Sequence, residues 1–223
     1  FAHYFNFYDY DDSYLTNLFN NIDDQEVINL KSNFVKKHDN LNFKQSGNYN
    51  FLLLLLYYNL KKSSYFKFLN LLKDKTYLSF GNPYIKIDDF NIASDKLVSL
   101  FDLESIDSFN FIQKMKILEI GAGSGRLSEC ILSTKKILNY TICDIPPSIY
   151  INYKRLKSAF PGKKIKLLID INNPNELNDE INNCDISFIF PHQIEKIKAD
   201  TYDMTIAIDC LHEMDKKTLK FYF

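Results

Sequence analysis

Apolar positions along the chain change their period near residue 111. Before it they recur at helical spacing. Tyr14, Leu15, Leu18 and Phe19 form one such stretch and Glu26, Val27, Ile28 and Leu30 open another, so residues 1 to about 75 are predicted to be mainly helical. Gly47-Asn48 is predicted to break the pattern ahead of the Leu-rich run at 51–58, which reads as a core helix. That run is much too short to span a bilayer and lacks the flanks of a signal peptide. Gly81-Asn82-Pro83 marks a turn, residues 84–87 a short strand, and 95–103 a helix with Ser94 as its N-cap.

After residue 111 short apolar runs alternate with amphipathic stretches. The predicted elements are strand 115–120, helix 125–134, strand 138–143, helix 148–159, apolar segments at 165–170 and 186–190, and strand 203–209. Pro146-Pro147 stops the second strand and Pro161-Gly162 the helix after it. Of the two apolar segments, 186–190 is favoured as the third strand, because Phe188-Ile189-Phe190 is bulky and Pro191 ends it like a strand feeding a site. The alternation predicts an α/β fold: a Rossmann-like, mostly parallel sheet over 111–223, covered on both faces, behind a helical N-terminal region over 1–110. A complete sheet of this type needs more strands after residue 223. The chain opens at Phe1 without methionine and stops at Phe223 in an apparent helix, so it reads as a piece of a longer protein.

Composition narrows the class. With 223 residues, 46% of them hydrophobic, there is ample material for a core. Lysines are interleaved with acids and the formal net charge is −1, which disfavours a nucleic-acid partner. Cys130, Cys143, Cys184 and Cys210 show no CxxC spacing. They read as free thiols in a reducing cytoplasm and not as a disulfide or zinc framework.

The chemistry concentrates at Lys116-Ile117-Leu118-Glu119-Ile120-Gly121-Ala122-Gly123-Ser124-Gly125-Arg126, a strand, a glycine turn and a helix start. Glycines let the backbone approach a ligand closely while the helix N-terminus aims N–H groups at it. The spacing is GxGxG, not the GxGxxG of dinucleotide enzymes. Glu119, two residues before the first glycine, would repel a phosphate and suit a cationic amino group, which favours S-adenosylmethionine over NAD. Asp144 ends the next strand about twenty residues on, where a carboxylate holds ribose hydroxyls. Strand ends at Asp144-Ile145, Pro191-His192 and Asp209 to Met214 complete the ligand side. The cofactor set read from these ends is Glu119, Gly121, Ala122, Gly123, Gly125, Asp144, Ile145, His192 and Asp209. His212 is the general base, since imidazole titrates near neutrality, and Glu213 orients it, binds a substrate hydroxyl or caps the next helix. Arg126 is placed to reach an acidic or sugar-linked substrate or to rest in solvent. Asp209, Glu213 and Asp215 are too ordinary a strand-end cluster to predict a metal.

The segment 118–126 resembles motif I of class I S-adenosylmethionine-dependent methyltransferases. Together with Gly81-Asn82-Pro83-Tyr84, with Tyr140-Thr141-Ile142-Cys143-Asp144-Ile145-Pro146-Pro147 and with the strand closing in Glu213-Met214, it is similar to the sugar O-methyltransferases of bacterial surface-polysaccharide loci. The resemblance covers roughly residues 80–215. It implies cofactor contacts by Glu119, Gly121, Gly123 and Asp144, and a sugar or sugar-nucleotide acceptor. His212-Glu213 looks like the His-Asp pair after the fourth strand of small-molecule O-methyltransferases, whose histidine is the base. Competing readings are a phenolic or N-nucleophile acceptor, an NAD-dependent nucleotide-sugar oxidoreductase or epimerase, and a catalytically silent scaffold. Oligomeric state is not legible.

Overall fold

The computed structural model describes residues 43–72, 84–87, 89–109, 112–146 and 148–222. The periodic stretches around Tyr14 and Glu26 and the turn at Gly81-Asn82-Pro83 lie outside them. Helix α1 (Phe43–Lys61) and a 3₁₀ segment (Ser64–Leu71) precede an antiparallel hairpin of β1 (Tyr84–Ile87) and β2 (Phe90–Ala93). Helix α2 (Ser94–Phe109) then leads into β3 (Lys116–Ile120), α3 (Arg126–Thr134), β4 (Asn139–Cys143), α4 (Ser148–Ala159), β5 (Ile165–Leu167) and α5 (Pro174–Asn182). The last elements are β6 (Ile186–Ile189), β7 (Met204–Ile206) and α6 (Lys216–Tyr222). Strands β3 to β7 form a five-stranded sheet in the order β5-β6-β4-β3-β7, and every pair in it is parallel. The α/β class and the parallel sheet expected from the sequence are therefore present.

Alternation along β3 divides the core. Ile117 faces one side with Leu127, Ile131, Tyr140, Ile142, Leu156 and Phe188, under α3 and α4. Leu118 and Ile120 face the other with Leu177, Ile181 and Ile189, under α5. Burial of a leucine or isoleucine such as Leu127 or Ile131 stabilises by roughly 1.5–3 kcal/mol, which explains why so short a helix as α3 holds. Helices α1 and α2 join the first cluster through Phe51, Leu53, Tyr57, Leu97 and Leu100. The described part of the N-terminal region is thus packed into the same core as the sheet. Lys135 of the α3 end pairs with Asp107 of α2, which also accepts from Tyr65 Oη at 2.6 Å and from the Ile112 N–H at 2.9 Å.

Four expectations are corrected. Gly47 and Asn48 lie inside α1; a helical glycine costs about 1 kcal/mol against alanine, less than the burial of Leu53, Leu54, Tyr57 and Leu60 supplies. Segment 165–170 supplies a strand as well as the favoured 186–190: the latter is the fully buried β6 beside β4, and the shorter, partly exposed β5 lies outside it. The strand expected at 203–209 pairs only over Met204–Ile206, because the backbone turns away and Asp209 takes φ +54°. Helix α2 begins at Ser94 and extends to Phe109. The β2 strand and α5 have no counterpart in the sequence reading. Among the described residues no helix is long and apolar enough to cross a membrane.

Candidate functional site

The chain leaves β3 toward β4 on one side and returns on its other side as β7. Strand order reverses between β3 and β7, and in parallel sheets ligands bind beyond the carboxyl ends at such a point. The glycine turn stands there. Gly121, Gly123 and Gly125 have φ of +68°, +55° and +77°, all in the left-handed region. Each has a different neighbour. A Cβ on Gly121 would lie 2.5 Å from Cys210 Cβ, and one on Gly125 would overlap the Asn152 carboxamide, whereas one on Gly123 would meet nothing within 4 Å. The turn is therefore seated at its two ends and open at its middle. The Gly125 N–H donates to Ala122 O at 2.9 Å, closing the turn, and the Cys210 thiol donates to Ile120 O at 3.1 Å, binding the end of β7's loop to the end of β3. Burial pushes that thiol up to about 11, so it remains a donor at neutral pH.

Two carboxylates lie near the turn, Asp144 at Gly123 and Glu119 within the core at the end of β3. Asp144, directly after β4, accepts from the Gly123 N–H at 2.8 Å through Oδ2 and from the Ile145 N–H at 2.7 Å through Oδ1. Burial raises its proton affinity and these two bonds oppose the rise. Glu119 is buried behind the turn, where its Oε2 accepts from Ser128 Oγ at 2.5 Å and Tyr140 Oη at 2.9 Å. Burial pushes Glu119 upward as well; the Ser128 and Tyr140 bonds and the charge of Arg126 pull it down, and the charge of Asp144 adds to the rise. An acidic pair at a glycine turn suits a cationic ligand and a diol, and disfavours a pyrophosphate.

Behind the second half of the turn lies a polar layer that the sequence reading missed. Arg155 of α4, 1% exposed, bonds Glu129 Oε2 at 2.7 Å and approaches Ser124 Oγ and O at 3.4 and 3.5 Å. It also meets Asp95 of α2 at 3.6 Å. Asn152 of α4 is fully buried, and among the described residues neither of its amide atoms has a hydrogen-bond partner. Arg126, the first residue of α3, pairs with Asp102 at 2.5 Å and lies 3.6 Å from Asp209. Arg126 thus rests on α2 and is not a solvated side chain.

The other predicted residues spread along the same rim. Ile145 is 58% exposed beside Asp144. Ala122 is partly buried within the turn. Asp209, exposed and at positive φ, stands past β7 close to Arg126. His212 and Glu213 follow it in a 3₁₀ turn (Leu211–Glu213), both exposed. His192 lies in the 3₁₀ turn Pro191–Lys196, exposed, with its ring 6.0 Å from that of Phe190. It follows β6, which β4 separates from β3. The structure thus joins Gly121 to Cys210, Gly123 to Asp144 and Arg126 to Asp209, and leaves His192 farthest along the sheet. Among the described residues no group of three or more His, Cys, Asp or Glu side chains could hold a metal ion. In comparison with known proteins, no family model and no curated protein matches this chain.

Proposed function

We propose that the chain carries the cofactor site of an S-adenosylmethionine-dependent methyltransferase whose acceptor is a sugar hydroxyl. One observation carries the reading. The strand-end carboxylate of Asp144 is fastened to the Gly123 N–H at the open middle of a triple left-handed glycine turn, with the Glu119 carboxylate behind it. A carboxylate has about four acceptor positions, so Asp144 can hold the turn and still take the two ribose hydroxyls. Glu119 is the partner for the amino group, and Gly123 lets the ligand lie against bare backbone. The bound cofactor supplies a methyl group on a sulfonium. His212 would take the proton that the acceptor hydroxyl loses on methylation and hold it as an imidazolium, the neutral thioether being the leaving group. The sugar acceptor rests on the likeness of the segments at 81–84, 118–126 and 140–147 to sugar O-methyltransferases.

Calorimetric titration with S-adenosylhomocysteine is expected to show binding, and the same titration with NAD none. Asp144→Ala is expected to weaken S-adenosylhomocysteine binding roughly tenfold, the loss of a hydrogen bond to a charged acceptor. NAD binding in its place, or unchanged affinity in Asp144→Ala, would overturn the assignment.

A further inference from the structure

Two guanidinium groups stand beside the second half of the glycine turn, and both are anchored on one face of α2. Asp95 and Asp102 are seven residues apart, which is two helical turns, so they share a face. Asp95 meets Arg155 and Asp102 meets Arg126. Arg126 directly follows Gly125, while Arg155 reaches Ser124, the residue between Gly123 and Gly125. Glu129 fixes the direction of Arg155. Its bond to Nε is short at 2.7 Å, whereas Nη1 stands 3.4 to 3.6 Å from Ser124 Oγ, Ser124 O and Asp95 Oδ2.

We infer that Arg155 is a positioning residue for the cofactor turn and that α2, through Asp95 and Asp102, sets its affinity for ligand. The inference rests on the function proposed above and assigns the helical N-terminal region a part in cofactor binding, besides its expected place as acceptor cover. Three features support it. Arg155 touches the turn itself, its Nη1 standing 3.4 and 3.5 Å from Ser124 Oγ and O, within hydrogen-bonding distance. Asn152, one helical turn before Arg155, lies against Gly125 and occupies the place that glycine's Cβ would take, so α4 supports both Ser124 and Gly125. Arg155 is itself buried, so its cation is held by Glu129 and Asp95 and not by solvent. The guanidinium of Arg155 therefore fixes where Ser124 lies behind the turn, and Asp95 on α2 and Glu129 on α3 fix the guanidinium.

The test uses the whole chain and two readouts, S-adenosylhomocysteine titration and hydrogen exchange at individual amides. Arg155→Lys keeps a cation but loses the fork that reaches Glu129, Ser124 and Asp95 at once. It is expected to weaken S-adenosylhomocysteine binding about tenfold. Without ligand it is expected to speed exchange at the Gly123 and Gly125 amides and leave the β4 and β6 amides as they are. Asp95→Asn, a milder change that keeps shape, is expected to move both readouts the same way by about threefold. A merely structural role would raise exchange across the sheet and lower the melting temperature without changing affinity measured well below it, and that pattern overturns the inference. Unchanged affinity and unchanged exchange at the turn in both variants overturns it too. Failure of the unmodified chain to bind S-adenosylhomocysteine overturns the methyltransferase reading alone, and exchange at Gly123 and Gly125 then decides the positioning role by itself.

Discussion

Gly125→Ala is expected to destabilise the protein by about 3–5 kcal/mol, while the same change at Gly123 is expected to cost only about 1–2 kcal/mol. All three turn glycines have left-handed backbone, so an alanine at any of them carries the steric cost of that region. At Gly123 nothing is added, because its Cβ would stand in open space. At Gly125 the new methyl would overlap the Asn152 carboxamide, which is fully buried. Gly121→Ala resembles Gly125→Ala: its Cβ would lie 2.5 Å from Cys210 Cβ and 2.8 Å from Cys210 Sγ. Relief at that end requires removing the cysteine's Cβ. Cys210→Ala is therefore expected to leave Gly121→Ala nearly as unstable, and Cys210→Gly to recover part of the loss. Thermal unfolding checks the ranking, and equal melting temperatures for Gly123→Ala and Gly125→Ala would refute it. The functional order is reversed. Gly123→Ala is the variant expected to fold and yet lose ligand, since the open space over Gly123 is where a ligand would lie.

The glycine turn, the strands on either side of it and the acid at the end of β4 were legible because each is written locally. Period-two or continuous apolar runs mark β3 and β4, and glycines mark positions where φ must be positive. Placement of β5 and β6 was not legible, since Ile165-Lys166-Leu167 and Ile186-Ser187-Phe188-Ile189 are both short apolar runs and only lateral pairing decides which lies beside β4. Gly47 misled because local propensity was outweighed by the buried face that follows it in α1. Asp209 misled in another way: Ile206-Ala207-Ile208 continues a strand pattern, yet the ladder ends at Ile206 where the loop must reach back to Ile120 and Gly121. The polar layer behind the turn carries the weakest signal of all. Arg155 and Glu129 lie 26 residues apart on helices where a charged residue ordinarily reads as solvent-facing, and only the packing of α3 on α4 buries both. A sign was present in α4: Asn152 and Arg155 fall on its buried side together with Ile149, Leu156 and Ala159.

Glu119→Gln is expected to lower affinity for S-adenosylhomocysteine by about 10–100-fold while making the unliganded protein more stable at neutral pH. The two effects share one cause. Burial raises the folded-state proton affinity of Glu119 above its ordinary value, so its charged form is penalised by folding. Below pH about 4 the group is protonated in both folded and unfolded chains, and its contribution to stability is then fully present. As pH rises through the raised folded value the unfolded chain releases the proton first, and stability falls. Glutamine cannot ionise; its carbonyl still accepts from Ser128 and Tyr140, which now serve Oε2. The variant is thus expected to lose part of the decline in stability between mildly acid and neutral pH, with Asp144, also raised by burial, leaving a remaining slope. The affinity loss follows from replacing a charge-assisted bond to the ligand's ammonium group, worth about 1.5–3 kcal/mol, by a neutral one. Unfolding measured from pH 4 to 8 beside calorimetric titration separates the alternatives. Retained affinity would show that Glu119 only braces Ser128 and Tyr140, and a variant less stable at every pH would show that its charge is fully compensated inside the fold. A carboxylate buried two residues before a turn of three left-handed glycines is the feature on which the proposed cationic-ligand site depends, and these two readouts separate that role from a purely structural one.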